Sequence, residues 1–397
     1  MNSSETRQEC FNQLDNSLAQ YCMGDEVTHS DTILDEDSIG CEAVIDDFYK
    51  TARYLNGEIV NQGGSKKIIC AEDSYTNRSV ALATLKEENP SKAAIENFIR
   101  EARITASLQH PNIISVHDIG FDIENNIYFS MDYIEGPTLA KILNGLKIGD
   151  PASQKTYTLN KLVTIFLNIC SAVKYAHSKN IVHLDLKPNN ILMGNEESPY
   201  ICDWGIAEQV QNIELAKQTK DFSPCETAQA LKIPIMPLET QSSILVNNQT
   251  QRGHVIGTPG YMAPEQASSR GKQRGKRTDI YALGAILYEI LTYQPSLTGK
   301  SLNELVNQTL DGEIISPSDR APANNIPAAL ESISIKAMST NVKNRYSSVA
   351  ELVSDIRLFL SCGPNEKRNA DLFQKIREVV NSKRKQQLSN QTSTNKG

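Results

Sequence analysis

Three residues able to handle protons and charge stand within six positions of one another: Asp185, Lys187 and Asn190. They lie in the run Ile181-Val182-His183-Leu184-Asp185-Leu186-Lys187-Pro188-Asn189-Asn190-Ile191-Leu192. Apolar pairs flank the polar residues, which places the acid, the cation and the amide on a loop between two short strands. Downstream, a second apolar stretch ends in Cys202-Asp203-Trp204-Gly205. A third segment reads Gly257-Thr258-Pro259-Gly260-Tyr261-Met262-Ala263-Pro264-Glu265. Asp and Asn also favour turns for their own reasons, so one such segment alone carries little. The signal is the ordered set.

The set H-x-D-x-x-x-x-N, then D-x-G, then A-P-E resembles the protein-kinase family. The resemblance implies Mg2+-dependent transfer of the γ-phosphate of ATP to a Ser or Thr hydroxyl of a protein. Such transfer asks for positioning and charge neutralisation more than for covalent chemistry. By the same resemblance, Asp185 accepts the proton of the attacking hydroxyl or orients it, and Lys187 stabilises the moving phosphoryl group. Asn190 and Asp203 hold magnesium, a hard cation that takes oxygen ligands. A Lys two positions after the catalytic Asp marks Ser/Thr rather than Tyr kinases, and Thr258 bridges that Asp and Lys. Glu265 is expected to pair with Arg345 of Asn344-Arg345-Tyr346, and Asp279 to brace the catalytic-loop backbone. On residue type alone, Asp279 is equally a helix N-cap. The wording of Gly257 to Gln266 and of Thr278-Asp279-Ile280-Tyr281-Ala282-Leu283-Gly284 is most similar to bacterial Ser/Thr kinases.

The expected nucleotide site departs from the family pattern. Asn61-Gln62-Gly63-Gly64-Ser65-Lys66-Lys67-Ile68 falls where G-x-G-x-x-G-x-V belongs, and only the middle glycine, Gly63, matches. Asn61 stands for the first glycine and Lys66 for the third. Val80-Ala81-Leu82-Ala83 matches V-A-I-K with Ala83 in place of the phosphate-gripping lysine. Lys66 is the expected substitute, an arrangement that resembles the with-no-lysine kinases. Lys86 is the other candidate, but an odd offset from Ala83 points it to the opposite face of a strand. Lys66 also reads as a solvated loop residue of a degraded site. Glu101 matches the helix Glu that normally pairs with the missing lysine. By the same alignment Ile68, Ala81 and Leu192 sandwich the adenine, Met131 stands behind it as the gatekeeper, and the backbone of Asp132 to Ile134 meets its edge. Leu184 occupies the Arg position of H-R-D, which argues against activation through a phosphate on the activation segment.

These residues imply an α+β, two-lobed protein-kinase fold. The small lobe, an antiparallel sheet with one main helix, is expected over about 46–131, the hinge over 132–136 and a helical large lobe over 137–362. Apolar runs predict strands at 67–71 and 79–83 and two more ending at Met131. A stripe of Ile95, Phe98, Ile99, Ala102 and Ala106 predicts a helix over 93–108. Further helices are expected over 159–178 and 279–291, the last apolar nearly all round and so buried. A polar insertion is expected over 145–157. About sixty residues separate Asp203 from Glu265, with an insertion at 211–253 rich in Gln, Thr, Ser and Asn. A stretch of that length without periodicity is functional or disordered. It is the expected place for a regulatory partner and holds Thr219, Ser223, Thr227, Thr240 and Thr250 as candidate phosphorylation sites. Residues 1–45 read as a mobile acidic tail, and 363–397 as a helix with Leu372, Ile376 and Val379 on one side followed by a polar, basic tail.

The bulk composition excludes several classes. The 397-residue chain carries a net charge of −7, which gives no nucleic-acid footprint. Its 8 cysteines show no C-x-x-C spacing, so neither a zinc site nor a disulfide framework is indicated. The start lacks the pattern of a signal peptide, and the longest apolar region, Leu162 to Ala176, is too short and polar to span a bilayer. A cytoplasmic protein is expected. Two rivals remain. A pseudokinase acting as a nucleotide-binding or scaffold module draws on Ala83, the poor glycine loop and Leu184. A kinase of small molecules is opposed by Thr258 and Ala263-Pro264-Glu265, which suit a peptide-docking surface.

Overall fold

A computed structural model describes residues 53–62, 65–122, 126–209, 258–268, 274–299 and 301–361. The tails, the insertion at 211–253, its five candidate phosphorylation sites, Gly63 and Gly257 lie outside the described residues.

The small lobe is a sheet in which every neighbouring pair is antiparallel, ordered β1-β2-β3-β5-β4. Its strands are β1 (Tyr54–Gln62), β2 (Lys66–Asp73), β3 (Arg78–Leu85), β4 (Val116–Phe121) and β5 (Ile127–Asp132). β1 is a strand that the apolar-run argument passes over, because Asn56, Gly57 and Asn61 break its pattern. Helix α1 (Lys92–Ala106) follows β3. Ser91 caps it by accepting from the Ala94 N–H, and it ends two residues before the expected Leu108. Its apolar side buries Phe98 and Ala102 against Ala83 and Phe129. β5 carries the chain to the hinge, and Asp132 is still part of the strand.

The large lobe is built on two long helices. α4 (Leu159–Ser178) spans the expected range, with Thr158 as its cap. α6 (Lys276–Thr292) buries every residue from Thr278 to Thr292. The remaining helices are α2 (Leu139–Lys147), α3 (Pro151–Thr156), α5 (Pro264–Ala267), α7 (Leu302–Asp311), α8 (Pro317–Arg320), α9 (Ala328–Ala337) and α10 (Val349–Ser361). The segment read as a polar insertion over 145–157 is thus the end of α2 plus the short α3. Asp150 starts α3 by accepting from the Ser153 N–H, with Pro151 at the first helical position. Two strand pairs frame the loop over residues 183–190: β6 (Ile181–Val182) with β9 (Glu208–Gln209), and β7 (Ile191–Met193) with β8 (Pro199–Ile201). Their inward residues join α4 and α6 in one core that includes Ile181, Ile191, Ile201, Phe166 and Ile286. The loop between β6 and β7 is therefore anchored at both ends in the largest apolar cluster. Among the described residues no helix is long and apolar enough to cross a membrane.

Candidate active site

The catalytic loop runs from His183 to Asn190, between β6 and β7. Asp279 of α6 holds its start: Oδ2 accepts from the His183 N–H and Oδ1 from the Leu184 N–H, each at 2.9 Å. The same carboxylate meets His177 Nε2 at 2.8 Å. Asp279 lies in the first turn of α6, whose N-cap is Gly275, so the capping alternative is corrected. Its oxygens serve the loop instead of its own helix. Leu184 needs that support, because its φ is +66°, a left-handed conformation that a non-glycine residue adopts at a cost of about 1–2 kcal/mol. Gln266 fixes it from the other side, Nε2 donating to the Leu184 carbonyl at 2.7 Å. The leucine side chain itself is buried.

Beyond that brace the charged residues converge. Lys187 Nζ donates to Asp185 Oδ2 and to Thr258 Oγ1, both at 2.7 Å. Thr258 donates to Asp185 Oδ1 twice, from Oγ1 at 2.8 Å and from its N–H at 3.0 Å. Asn190 Nδ2 donates to the Asp185 carbonyl at 2.9 Å. Thr258 is 73 residues from Asp185 in the chain, yet it closes a three-membered network with it and Lys187. The segment after Thr258 is fixed by Glu265. Both of its oxygens accept from Arg345 at 2.7 Å, and Oε1 also accepts from Thr278 Oγ1 at 2.9 Å. Arg345 and Glu265 are almost fully buried, with Arg345 over the Tyr281 ring. Burial alone would raise the Glu265 pKa, but the Arg345 hydrogen bonds and charge outweigh it and hold it below the usual range.

The second constellation spans the lobes. Lys66, the first residue of β2, makes a close ion pair with Glu101 of α1 and a second with Asp203 Oδ1 at 2.9 Å. It stands on a strand rather than in the loop that the glycine alignment gave it. Burial works against its charge, but Glu101 and Asp203 outweigh burial and raise its pKa. Asp203 moves the other way: burial opposes ionisation, yet Lys66 holds its pKa down. Burial raises the Glu101 pKa, Asp203 adds to that, and Lys66 only partly offsets it. Gly205 leaves room for this contact, since a Cβ there would sit 3.1 Å from Glu101 Oε2. Ala83 is fully buried among apolar side chains. Lys86 lies beyond the end of β3, its N–H donating to the Ser65 carbonyl at 3.0 Å. Among the described residues it makes no ion pair.

The other expected residues are placed as follows. Ile68 pairs with Ala83, Cys70 with Ala81, and Ala81 with Met131 across adjacent strands, so they stand side by side on β2, β3 and β5. Leu192 of β7 forms a bridge with Thr138 on the large-lobe side. Asn61 is an exposed residue of β1 and is paired with Ile68. Asp132 and Ile134 follow Met131 into the hinge. Trp204 is buried, its ring 4.5 Å from that of His183.

The donor set fits a magnesium ion. Asn190 spends its amide nitrogen on the Asp185 backbone, which leaves its oxygen as an acceptor. Asp203 gives one oxygen to Lys66 and, among the described residues, accepts no hydrogen bond at the other. No cluster of three or more His, Cys, Asp and Glu suited to a metal occurs among the described residues. Two oxygen donors suit Mg2+, which completes its shell with water and substrate phosphates.

Four residues of this site were not singled out from sequence: His177, His183, Gln266 and Thr278. His183 heads the catalytic motif, so its signal was present. His177 and Gln266 act through side chains whose targets lie far along the chain, and spacing gives no hint of them.

Comparison with known proteins follows the same lines. A family model described as the protein kinase domain matches residues 54–230 and 241–356. The chain is 35% identical over 311 residues to a protein of Chlamydia abortus named serine/threonine-protein kinase PknD, covering 77% of this chain and 31% of that one. It is 34% identical over 328 residues to the protein of that name from Chlamydia trachomatis serovar D, covering 81% of this chain and 33% of the relative. The chain thus spans about a third of the length of these relatives.

Proposed function

Because the chain belongs to the protein kinase family, we propose that it transfers the γ-phosphoryl group of ATP to Ser or Thr hydroxyls of proteins, with Mg2+. The observation that carries this reading is the Asp185–Lys187–Thr258 network. It ties the catalytic loop to the segment expected to dock the substrate. The relatives' printed names support the Ser/Thr class.

In this reading Asp185 orients the acceptor hydroxyl and takes its proton as the new O–P bond forms and the bond from the γ-phosphorus to the bridging oxygen breaks, with ADP leaving. Lys187, already against Asp185, neutralises charge on the phosphoryl group in flight. Thr258 keeps both at the right height, so the base and the cation are positioned before substrate arrives. Asn190 and Asp203 would hold Mg2+, which supplies charge neutralisation at the phosphates. Lys66 takes the place of the missing strand lysine, with Glu101 fixing its ammonium group. The adenine lies between Ile68 and Ala81 above and Leu192 below, with Met131 behind it and the backbone of Asp132 to Ile134 at its edge. Gly63 and Asn61 cover the phosphates. We place the reaction in the cytoplasm, where ATP is supplied, and assign the segment 211–253 to a regulatory partner.

A scaffold without turnover would account for Ala83 and Leu184. It would leave unexplained why Lys66 is held between two carboxylates. Incubation with labelled ATP, Mg2+ and a generic basic protein, followed by phosphoamino-acid analysis, is the test. Phosphoserine or phosphothreonine is expected from the wild type and none from Asp185→Asn. Phosphotyrosine, or label transferred equally well by Asp185→Asn, would overturn the reading.

A further inference from the structure

Asp132 is the last residue of β5 and the first of the segment proposed to meet adenine. Its ladder partner is Val80 of β3, and on the other side it is tied to the start of β4. Its N–H donates to the Ser115 carbonyl at 3.0 Å. Its carboxylate folds back on the same strand: Oδ2 accepts from the Ser115 N–H at 3.1 Å, and Oδ1 lies 3.1 Å from His117 Nε2. The reach of His117 comes from an irregularity in the sheet. Val116 pairs with Met131 and Asp118 with Ser130, so His117 is an extra residue without a partner across the ladder. A bulge of this kind re-aims the side chain it carries, and bulges gather beside active sites. Here the side chain is aimed at the residue where the sheet becomes the hinge.

We propose that His117 is a positioning residue for adenine: through the bulge it clamps the Asp132 carboxylate and so fixes the backbone from Asp132 to Ile134 that meets the base. This rests on the ATP reading above. Both carboxylate oxygens are engaged, Oδ2 by the Ser115 N–H and Oδ1 beside the His117 ring, so Asp132 cannot turn without losing both contacts, and its own peptide groups turn with it. The clamp sets His117 Nε2 3.1 Å from Asp132 Oδ1. The charged groups facing the ring are Arg78 of β3, Asp132 of β5 and Asp73 of β2. Burial, together with Arg78, keeps the ring's pKa below its usual value despite Asp132.

The test uses the full chain and two probes, ATP-Mg and adenosine, which meets the hinge but has no phosphates for Lys66. His117→Phe keeps a ring and loses the donor. It is expected to raise the adenosine Kd and the KM for ATP together, by about three- to ten-fold, as loss of one polar contact to a charged group does. The loss falls on KM and not on kcat. His117→Gln, whose amide restores a donor, returns both constants toward wild type. Asp132→Ala removes the carboxylate and keeps the peptide groups that meet the base, but frees them from the clamp; it gives the same rise, and the double variant with His117→Phe adds nothing to it. That second variant decides the matter if His117→Phe does not fold. An unchanged adenosine Kd, a loss confined to kcat, or fully additive effects of the two variants would overturn the clamp. A wild type that binds neither ATP nor adenosine would overturn the nucleotide reading itself, and the clamp with it.

Discussion

Lys66 carries the most consequential inference at the scale of single residues. From sequence, the missing strand lysine had two possible replacements and one reading without any. Geometry separates them: Lys66 meets Glu101 and Asp203, and Lys86 meets neither. Lys66 was picked out by its third-glycine position in a loop, whereas strand parity is what places it. It lies two residues before Ile68, which pairs with Ala83, so it shares the cleft face of the sheet. The trio also has a pH signature. Burial raises the Glu101 pKa while Asp203 stays depressed, so Glu101 takes up a proton first as pH falls and frees Lys66. A Glu101→Gln variant should therefore turn over more slowly but show its acid limb at lower pH than wild type, read from kcat against pH. An acid limb at the same pH in both proteins would refute this.

Element boundaries were less legible than element types. The stripe of α1 and the interrupted apolar run within α4 gave helices nearly where they are, whereas β1 was hidden by Gly and Asn in its pattern. Only through resemblance was Asp279 expected to contact the catalytic loop. Its position suggested a cap, and nothing in spacing says that an acid on α6 accepts from the His183 and Leu184 amides. Helix packing holds a similar constraint at Gly284. A Cβ there would lie 2.7 Å from Ala337 Cβ and 3.1 Å from the Ser334 carbonyl oxygen, so α6 and α9 touch through backbone. Gly284→Ala should cost about 1–3 kcal/mol by overpacking, seen as a lower denaturant midpoint with an unchanged slope. A midpoint at or above that of wild type would contradict the close contact.

For the whole molecule, the two-lobed fold was legible because its motifs recur in a fixed order. The long-range pairs that hold the large lobe together were legible only as family expectations. Glu265 and Arg345 are 80 residues apart and nearly without exposure. Breaking such a pair strands a buried charge, so Arg345→Ala should cost about 3–5 kcal/mol, measurable by chemical denaturation. The same carboxylates set the acid limit. Glu265 and Asp279 both have folded-state pKa values below their ordinary ones, despite burial, because of Arg345 and His177 respectively. Their contribution is complete above the unfolded values, about 4.3 and 3.9. It is lost as pH falls through the depressed ones. Stability should accordingly be insensitive to these two groups at neutral pH and decline below about pH 4.

The central claim is that this kinase works through a lysine supplied by β2. The most direct measurement is kcat for phosphate transfer from ATP-Mg in wild type, Lys66→Ala and Lys86→Ala, each verified as folded. The account predicts a loss of about 10²–10³-fold in Lys66→Ala, the scale on which one lost charge stabiliser acts. It predicts a rate near wild type in Lys86→Ala. Wild-type transfer by Lys66→Ala would contradict it, and a loss confined to Lys86→Ala would move the phosphate clamp to the end of β3.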